Sequence, residues 1–83
     1  MELRYFRDAT GREVDFVVTE KRRPVLFVEV KLSDSPVHPA LRYLVERFPN
    51  VEAWQIHLRG KKDYVTPEGI RVAPAPKLLN AWV

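Results

Sequence analysis

Apolar and polar residues alternate along residues 2–7, ELRYFR, with the two-residue period of a β-strand, and Asp8-Ala9-Thr10-Gly11 follows as a turn signal. Residues 12–19, REVDFVVT, resume the alternation and read as the hairpin partner. A basic turn, EKRRP, leads into residues 25–32, VLFVEVKL, whose valine, leucine and phenylalanine content makes it the clearest strand in the chain. Three strands in a row predict an antiparallel meander. After Leu32 the pattern changes, because Ser33, Asp34, Ser35 and Pro36 supply turn and capping chemistry. In PALRYLVERF, Leu41, Leu44, Val45 and Phe48 recur at three- and four-residue steps and form one apolar stripe of a helix that Pro49-Asn50 ends. Residues 51–58, VEAWQIHL, predict a fourth strand, Gly60 to Lys62 a turn, and DYVTP and IRVAP two short late strands. The Pro-rich end, with Pro74 and Pro76 before Leu78, Leu79 and Trp82, reads as a terminal segment packed on the body or as a short docking element.

The order is therefore β-β-β-α-β with a short β tail, over one domain spanning residues 1–83. One amphipathic helix laid on a small mixed sheet gives an α/β (α+β) class. The helix between the third and fourth strands lets those two run parallel through a right-handed crossover. Alternation also assigns faces. Leu26, Val28, Val30 and Leu32 form a wholly apolar set expected to face the helix, which puts Val25, Phe27, Glu29 and Lys31 on the opposite face. On the preceding strand Val14, Phe16 and Val18 form the apolar set, with Asp15 and Val17 on the other side. In-register pairing sets Asp15 beside Glu29.

Composition narrows the class. Forty-six percent hydrophobic and 30% charged residues, without a low-complexity tract, describe a folded domain. The absence of cysteine excludes a disulfide framework, a thiolate zinc site and a cysteine nucleophile, and it agrees with a cytoplasmic setting. Apolar runs are interrupted by Glu29, Lys31 and Gln55 far short of a membrane span, and the N-terminus carries no secretory pattern. The net charge of +3 and a pI near 9.5 come partly from two runs, Lys21-Arg22-Arg23 and Arg59 with Lys61 and Lys62. Both fall at expected turns. They read either as solvated loop tips or as a phosphate-facing patch, in which Arg22, Arg23, Lys61 and Lys62 are the candidate nucleic-acid contacts.

Two carboxylates on adjacent rigid strands can hold a hard divalent cation, which activates water and neutralises charge on a phosphodiester. A lysine beside them can position or deprotonate the water, or stabilise the transition state. The same residues also suit an ion pair on an exposed sheet face with Asp15 solvated. His38 and His57 lack a second histidine or cysteine at ligand spacing and read as structural or surface residues. Gln55 shares its face with Ala53 and His57 and is a candidate accessory group. Trp54 and Trp82 read as core or interface aromatics. Gly11, Gly60 and Gly69 read as isolated turn glycines, and no phosphate loop is present.

Asp15 on one strand with Glu29-Val30-Lys31 on the next resembles the D…(D/E)-x-K signature of the PD-(D/E)xK nuclease superfamily. The wider wording, YFRDATGREVDFVV, VLFVEVKLSDSP and GIRVAPAPKLL, resembles the C-terminal nuclease-like domain of a family of prokaryotic AAA-type ATPases over essentially the whole chain. The resemblance implies a Mg²⁺ or Mn²⁺ site made by Asp15, Glu29 and the Val30 carbonyl, with Lys31 as the catalytic lysine and DNA as substrate. Glu13 is either a supporting acid or simply solvated. The superfamily usually supplies a further acid from a helix before the first strand, which this sequence lacks. The chain therefore reads as a stand-alone module, a fragment of a longer ATPase, or a domain that completes itself as a homodimer through a sheet face left open. A non-catalytic DNA-binding or dimerisation module of the same fold is the alternative to a nuclease.

Overall fold

The alternating N-terminal segments form β1 (Glu2–Arg7), β2 (Glu13–Glu20) and β3 (Arg23–Lys31) in the computed structural model, which describes residues 2–7 and 13–82. The expected Asp8–Gly11 turn lies outside the described residues. The helical stripe forms α1 (Pro39–Arg47), followed by β4 (Glu52–His57), β5 (Tyr64–Val65), β6 (Arg71–Pro74) and α2 (Ala75–Trp82). The six strands make one mixed sheet in the order β1-β2-β3-β4-β6-β5. The first three pair antiparallel as the alternation predicts, β3 pairs parallel with β4 and β4 with β6, and β5 folds back antiparallel on β6. No helix among the described residues is long and apolar enough to cross a membrane.

Both faces of the sheet are covered, and the assignment of faces differs from the sequence expectation. Leu41 and Leu44 of α1, with Val37 and Ala40, pack on Val17, Phe27, Ala53, Ile70 and Val72. The helix thus lies on the face that also carries Glu29 and Lys31. The wholly apolar set Leu26, Val28 and Val30 faces the other way, with Trp54, Ile56 and Ala73, and is met by Ala75, Leu78 and Trp82 of α2. The terminal segment expected to pack as an irregular tail is this helix. Pro76 sits in its first turn, where no intrahelical N–H is required, so it starts the helix rather than breaking it. Because α2 covers much of the second face, the openness that argued for self-association is correspondingly reduced.

Val25 also departs from simple alternation. The register shifts from Val18↔Leu26 to Thr19↔Pro24, leaving Val25 as the extra residue of a β-bulge, and it joins the α2-side cluster. The bulge sits beside Pro24, whose missing N–H cannot serve a regular ladder. The hairpin then closes through Glu20↔Arg23, with Lys21 (φ 53°) and Arg22 (φ 66°) both left-handed as a two-residue turn demands. The start of α1 is fixed by His38, whose Nδ1 accepts from the Ala40 N–H at 3.0 Å, in place of the expected cap within Ser33–Pro36.

Candidate active site at the carboxyl ends of β3 and β4

The register that pairs Phe16 with Val28 would next bring the Val14 carbonyl to the Val30 N–H. Instead, the Asp15 carboxylate accepts that N–H, Oδ2 to N 2.8 Å. Asp15 therefore marks the point where main-chain pairing gives way to a side-chain contact. The N–H and C=O of one strand residue leave on the same side, so the Val30 carbonyl also points toward β2. Glu29, its neighbour, is only 7% exposed and faces the α1 side, where its Oε2 lies 3.3 Å from Lys31 Nζ. Asp15 thus meets the Val30 main chain, and Glu29 meets Lys31, at the same end of β3. Glu13 is placed in β2, and its side chain lies outside the described residues.

In the parallel register Glu29 stands beside Gln55 and Lys31 beside His57. Gln55 is 1% exposed, and its amide is fully engaged away from the carboxylates. Oε1 accepts the His38 N–H at 2.8 Å, while Nε2 donates to the carbonyls of Ser35 (3.2 Å) and Pro36 (3.1 Å). Through these bonds Gln55 ties the loop before α1 to the sheet.

A second cluster, which motif spacing missed, lies at the same end. Asp34 Oδ2 and Oδ1 accept the backbone N–H groups of Lys61 and Lys62 at 3.2 and 3.1 Å. These two N–H groups, Lys62 first, hold the Asp34 carboxyl below the ordinary carboxylate range, with smaller help from the nearby Lys62 ammonium. His57 is 2% exposed, and its Nε2 sits 2.7 Å from the Lys62 carbonyl and 3.4 Å from Asp34 Oδ1. Donation to the carbonyl puts the hydrogen on Nε2 and leaves Nδ1 without a hydrogen-bond partner. A Cβ on Gly60 would fall 2.5 Å from Asp34 Oδ1 and 2.6 Å from His57 Nδ1. Gly60 is therefore a contact glycine, not an isolated turn residue. Its only sequence signal was its position between two basic residues.

The two basic runs separate. Lys61 and Lys62 lie beside Asp34 and His57, at the carboxyl end of β4. Arg22 and Arg23 sit at the β2–β3 hairpin, and the eight residue steps from Arg23 to Lys31 span roughly 26 Å of strand. They do not form one surface with the acids.

These features define a class: a small mixed-sheet α/β domain whose acidic and basic side chains gather where adjacent parallel strands end. The chain belongs to the DUF4143 family, described as a domain of unknown function, whose model it matches over residues 1–78. No curated protein and no solved structure matches it.

Proposed function

We propose that this domain is a metal-dependent nuclease of the PD-(D/E)xK type that hydrolyses DNA phosphodiester bonds. The observation that carries the reading is the convergence of the Asp15 carboxylate, the Val30 peptide group and the Glu29–Lys31 pair at one strand end. Among the described residues, no three His, Cys, Asp or Glu side chains converge as a metal cluster. Two carboxylates and one carbonyl suit Mg²⁺ or Mn²⁺, which keep several waters and take phosphate oxygens. Asp15, Glu29 and the Val30 carbonyl would hold such an ion, which when bound supplies water activation and charge neutralisation.

The chain's own groups do the rest. Glu29 holds the Lys31 ammonium at this strand end, where it can stabilise negative charge on the phosphoryl oxygens. Asp15, anchored on the Val30 N–H, keeps its carboxylate at the strand end. The resemblance to the C-terminal part of AAA-type ATPases supports a setting beside an ATPase domain in a longer parent chain.

Calorimetric titration of Mn²⁺, followed by plasmid cleavage with Mg²⁺ or with EDTA, tests the reading. Binding should vanish in Glu29→Ala, and cleavage should fall about 100-fold in Asp15→Ala and Lys31→Ala. One observation favours a second reading, a non-catalytic DNA-binding or dimerisation module: Glu29 is nearly buried and already paired to Lys31. That reading expects no Mn²⁺ binding and no cleavage, with DNA binding or self-association indifferent to Asp15 and Glu29.

A further inference from the structure

The segment after β4 is held more firmly than its surface position requires. Leu58 N–H donates to the Lys31 carbonyl at 3.0 Å and Arg59 N–H to the Leu32 carbonyl at 2.7 Å, extending the β3–β4 ladder past its last strand residues. Asp34 then takes the N–H groups of Lys61 and Lys62, and His57 takes the Lys62 carbonyl. Gly60 lets the chain pass close against both side chains. The backbone of residues 58–62 is thus stapled from two sides.

The side chains presented by this loop point largely to solvent. Arg59, Lys61 and Lys62 are exposed, and among the described residues none of them forms a close salt bridge, the Lys62 ammonium acting on Asp34 only at longer range. Leu58 is 60% exposed, and Leu32, its neighbour across the ladder, is 64% exposed, beyond the cover of α2. Single exposed leucines are ordinary, but two adjacent ones at a strand end, followed directly in the chain by exposed Arg59, Lys61 and Lys62, form an amphipathic contact surface. Cations select an anionic partner. Apolar side chains gain only if that partner also offers apolar faces. A continuous duplex hides its base faces by stacking, whereas an unpaired strand offers both phosphates and bare bases.

We infer that the Leu32–Leu58 tip and the stapled Arg59–Lys62 loop together bind an unpaired nucleic-acid strand, with Leu32 and Leu58 against base faces and the three cations on phosphates. The inference rests on the reading of the domain as one that acts on DNA, and it adds single-stranded or splayed DNA as the substrate class.

The test is fluorescence anisotropy of the full chain with a labelled oligodeoxythymidine and with a duplex of equal length, beside sedimentation velocity. Wild type should prefer the single strand by about tenfold. Leu32→Ser with Leu58→Ser should erase the preference while leaving duplex binding in place. Replacing Arg59, Lys61 and Lys62 by Gln should weaken both and reduce the salt slope by about 2, from three phosphate contacts at roughly 0.7 each. Asp34→Asn, which keeps every cation and both leucines, should still weaken binding severalfold by loosening the loop. Equal affinity for both DNAs, or an unchanged preference in the leucine variant, overturns the inference. So does a wild-type dimer that the leucine variant dissociates. Glu29→Ala separates the two proposals: metal-dependent cleavage that depends on Glu29, without single-strand preference, sinks this inference alone. Single-strand preference without such cleavage sinks the nuclease reading alone.

Discussion

Gly60→Ala is the smallest change that strikes the staple. The added methyl would meet Asp34 Oδ1 at 2.5 Å and His57 Nδ1 at 2.6 Å, where an ordinary carbon contact needs about 3.5 Å. Neither neighbour can yield freely. Asp34 is held by two backbone N–H groups, and the His57 ring is enclosed in the α1-side layer. Overpacking of this kind costs about 2 kcal/mol. With roughly 2.1 cal/mol/K of unfolding entropy per residue, a chain of 83 residues loses about 6 °C per kcal/mol, so the melting temperature should fall by about 12 °C. Gly69→Ala is the control, because a Cβ there meets nothing within 4 Å and the strain comes from φ +93° alone. That backbone strain costs about 1 kcal/mol. The two glycines therefore separate by mechanism. Asp34→Ser should partly rescue Gly60→Ala, making the double substitution cost less than the sum, whereas it should add independently to Gly69→Ala. Hydrogen exchange at the Lys61 and Lys62 amides, slow in the wild type, should accelerate in Gly60→Ala. A Gly60→Ala protein within about 0.5 kcal/mol of wild type, or strict additivity with Asp34→Ser, would refute the staple.

Two further outcomes follow from local geometry. Lys21 and Arg22 both hold left-handed backbone, at a cost of about 1 kcal/mol or more each, so Lys21→Asn with Arg22→Gly should stabilise the domain. After the extra entropy that glycine loses on folding, the net gain is about 1 kcal/mol; urea unfolding with no increase in midpoint would contradict the turn. Because the Asp34 carboxyl is held below its ordinary value, the unfolded chain binds more protons than the folded one in mildly acidic solution. Asp34 therefore adds stability that is fully present above the unfolded carboxylate value of about 3.8 and is lost as pH falls through the lower folded value. Urea midpoints for wild type and Asp34→Asn, measured from neutral pH downward, should converge only below pH 4; a constant gap would show that the shift is absent.

Strands and the helix α1 were legible because their periodicities are strong: alternation in ELRYFR and VLFVEVKL, and the Leu41–Leu44 step. What alternation left open was which face each layer covers. A wholly apolar set such as Leu26, Val28 and Val30 announces burial but not the burying partner, and APKLLNAW carries two prolines nearby that read as breakers. Once α2 is a helix, the mixed set of Phe27, Glu29 and Lys31 falls to α1, which covers Phe27 and leaves the strand end beyond its first turn for charge. The motif positions Asp15, Glu29 and Lys31 were legible as neighbours along β2 and β3, since adjacent antiparallel strands carry them. Asp34, His57 and Gly60 were not, because they are joined by the parallel return of β4 and by a loop contact across 26 residues, and no spacing rule encodes it.

The arrangement at this end of the sheet is hard to derive from stability alone. His57 follows Ile56 in a strand whose buried Ala53, Trp54 and Ile56 are apolar, and its buried Nδ1 has no partner, a desolvation cost that a leucine would not carry. Gln55 likewise places a buried amide where an aliphatic side chain would pack. Each polar group is offset only by what it fixes: Gln55 the loop that carries Asp34 toward α1, and His57, with Asp34, the loop that carries Lys61 and Lys62. Sequences optimised only for folding make local and global preferences agree, and conflicts persist where geometry matters for another reason. Here two conflicts sit at alternate β4 positions, stand beside Glu29 and Lys31 in register, and fix loops rather than core. That concentration, beside the motif, is the physical argument for taking the carboxyl ends of β3 and β4 as the candidate site. The hairpin at the opposite end, with Arg22 and Arg23, shows no comparable buried polar scaffold among the described residues.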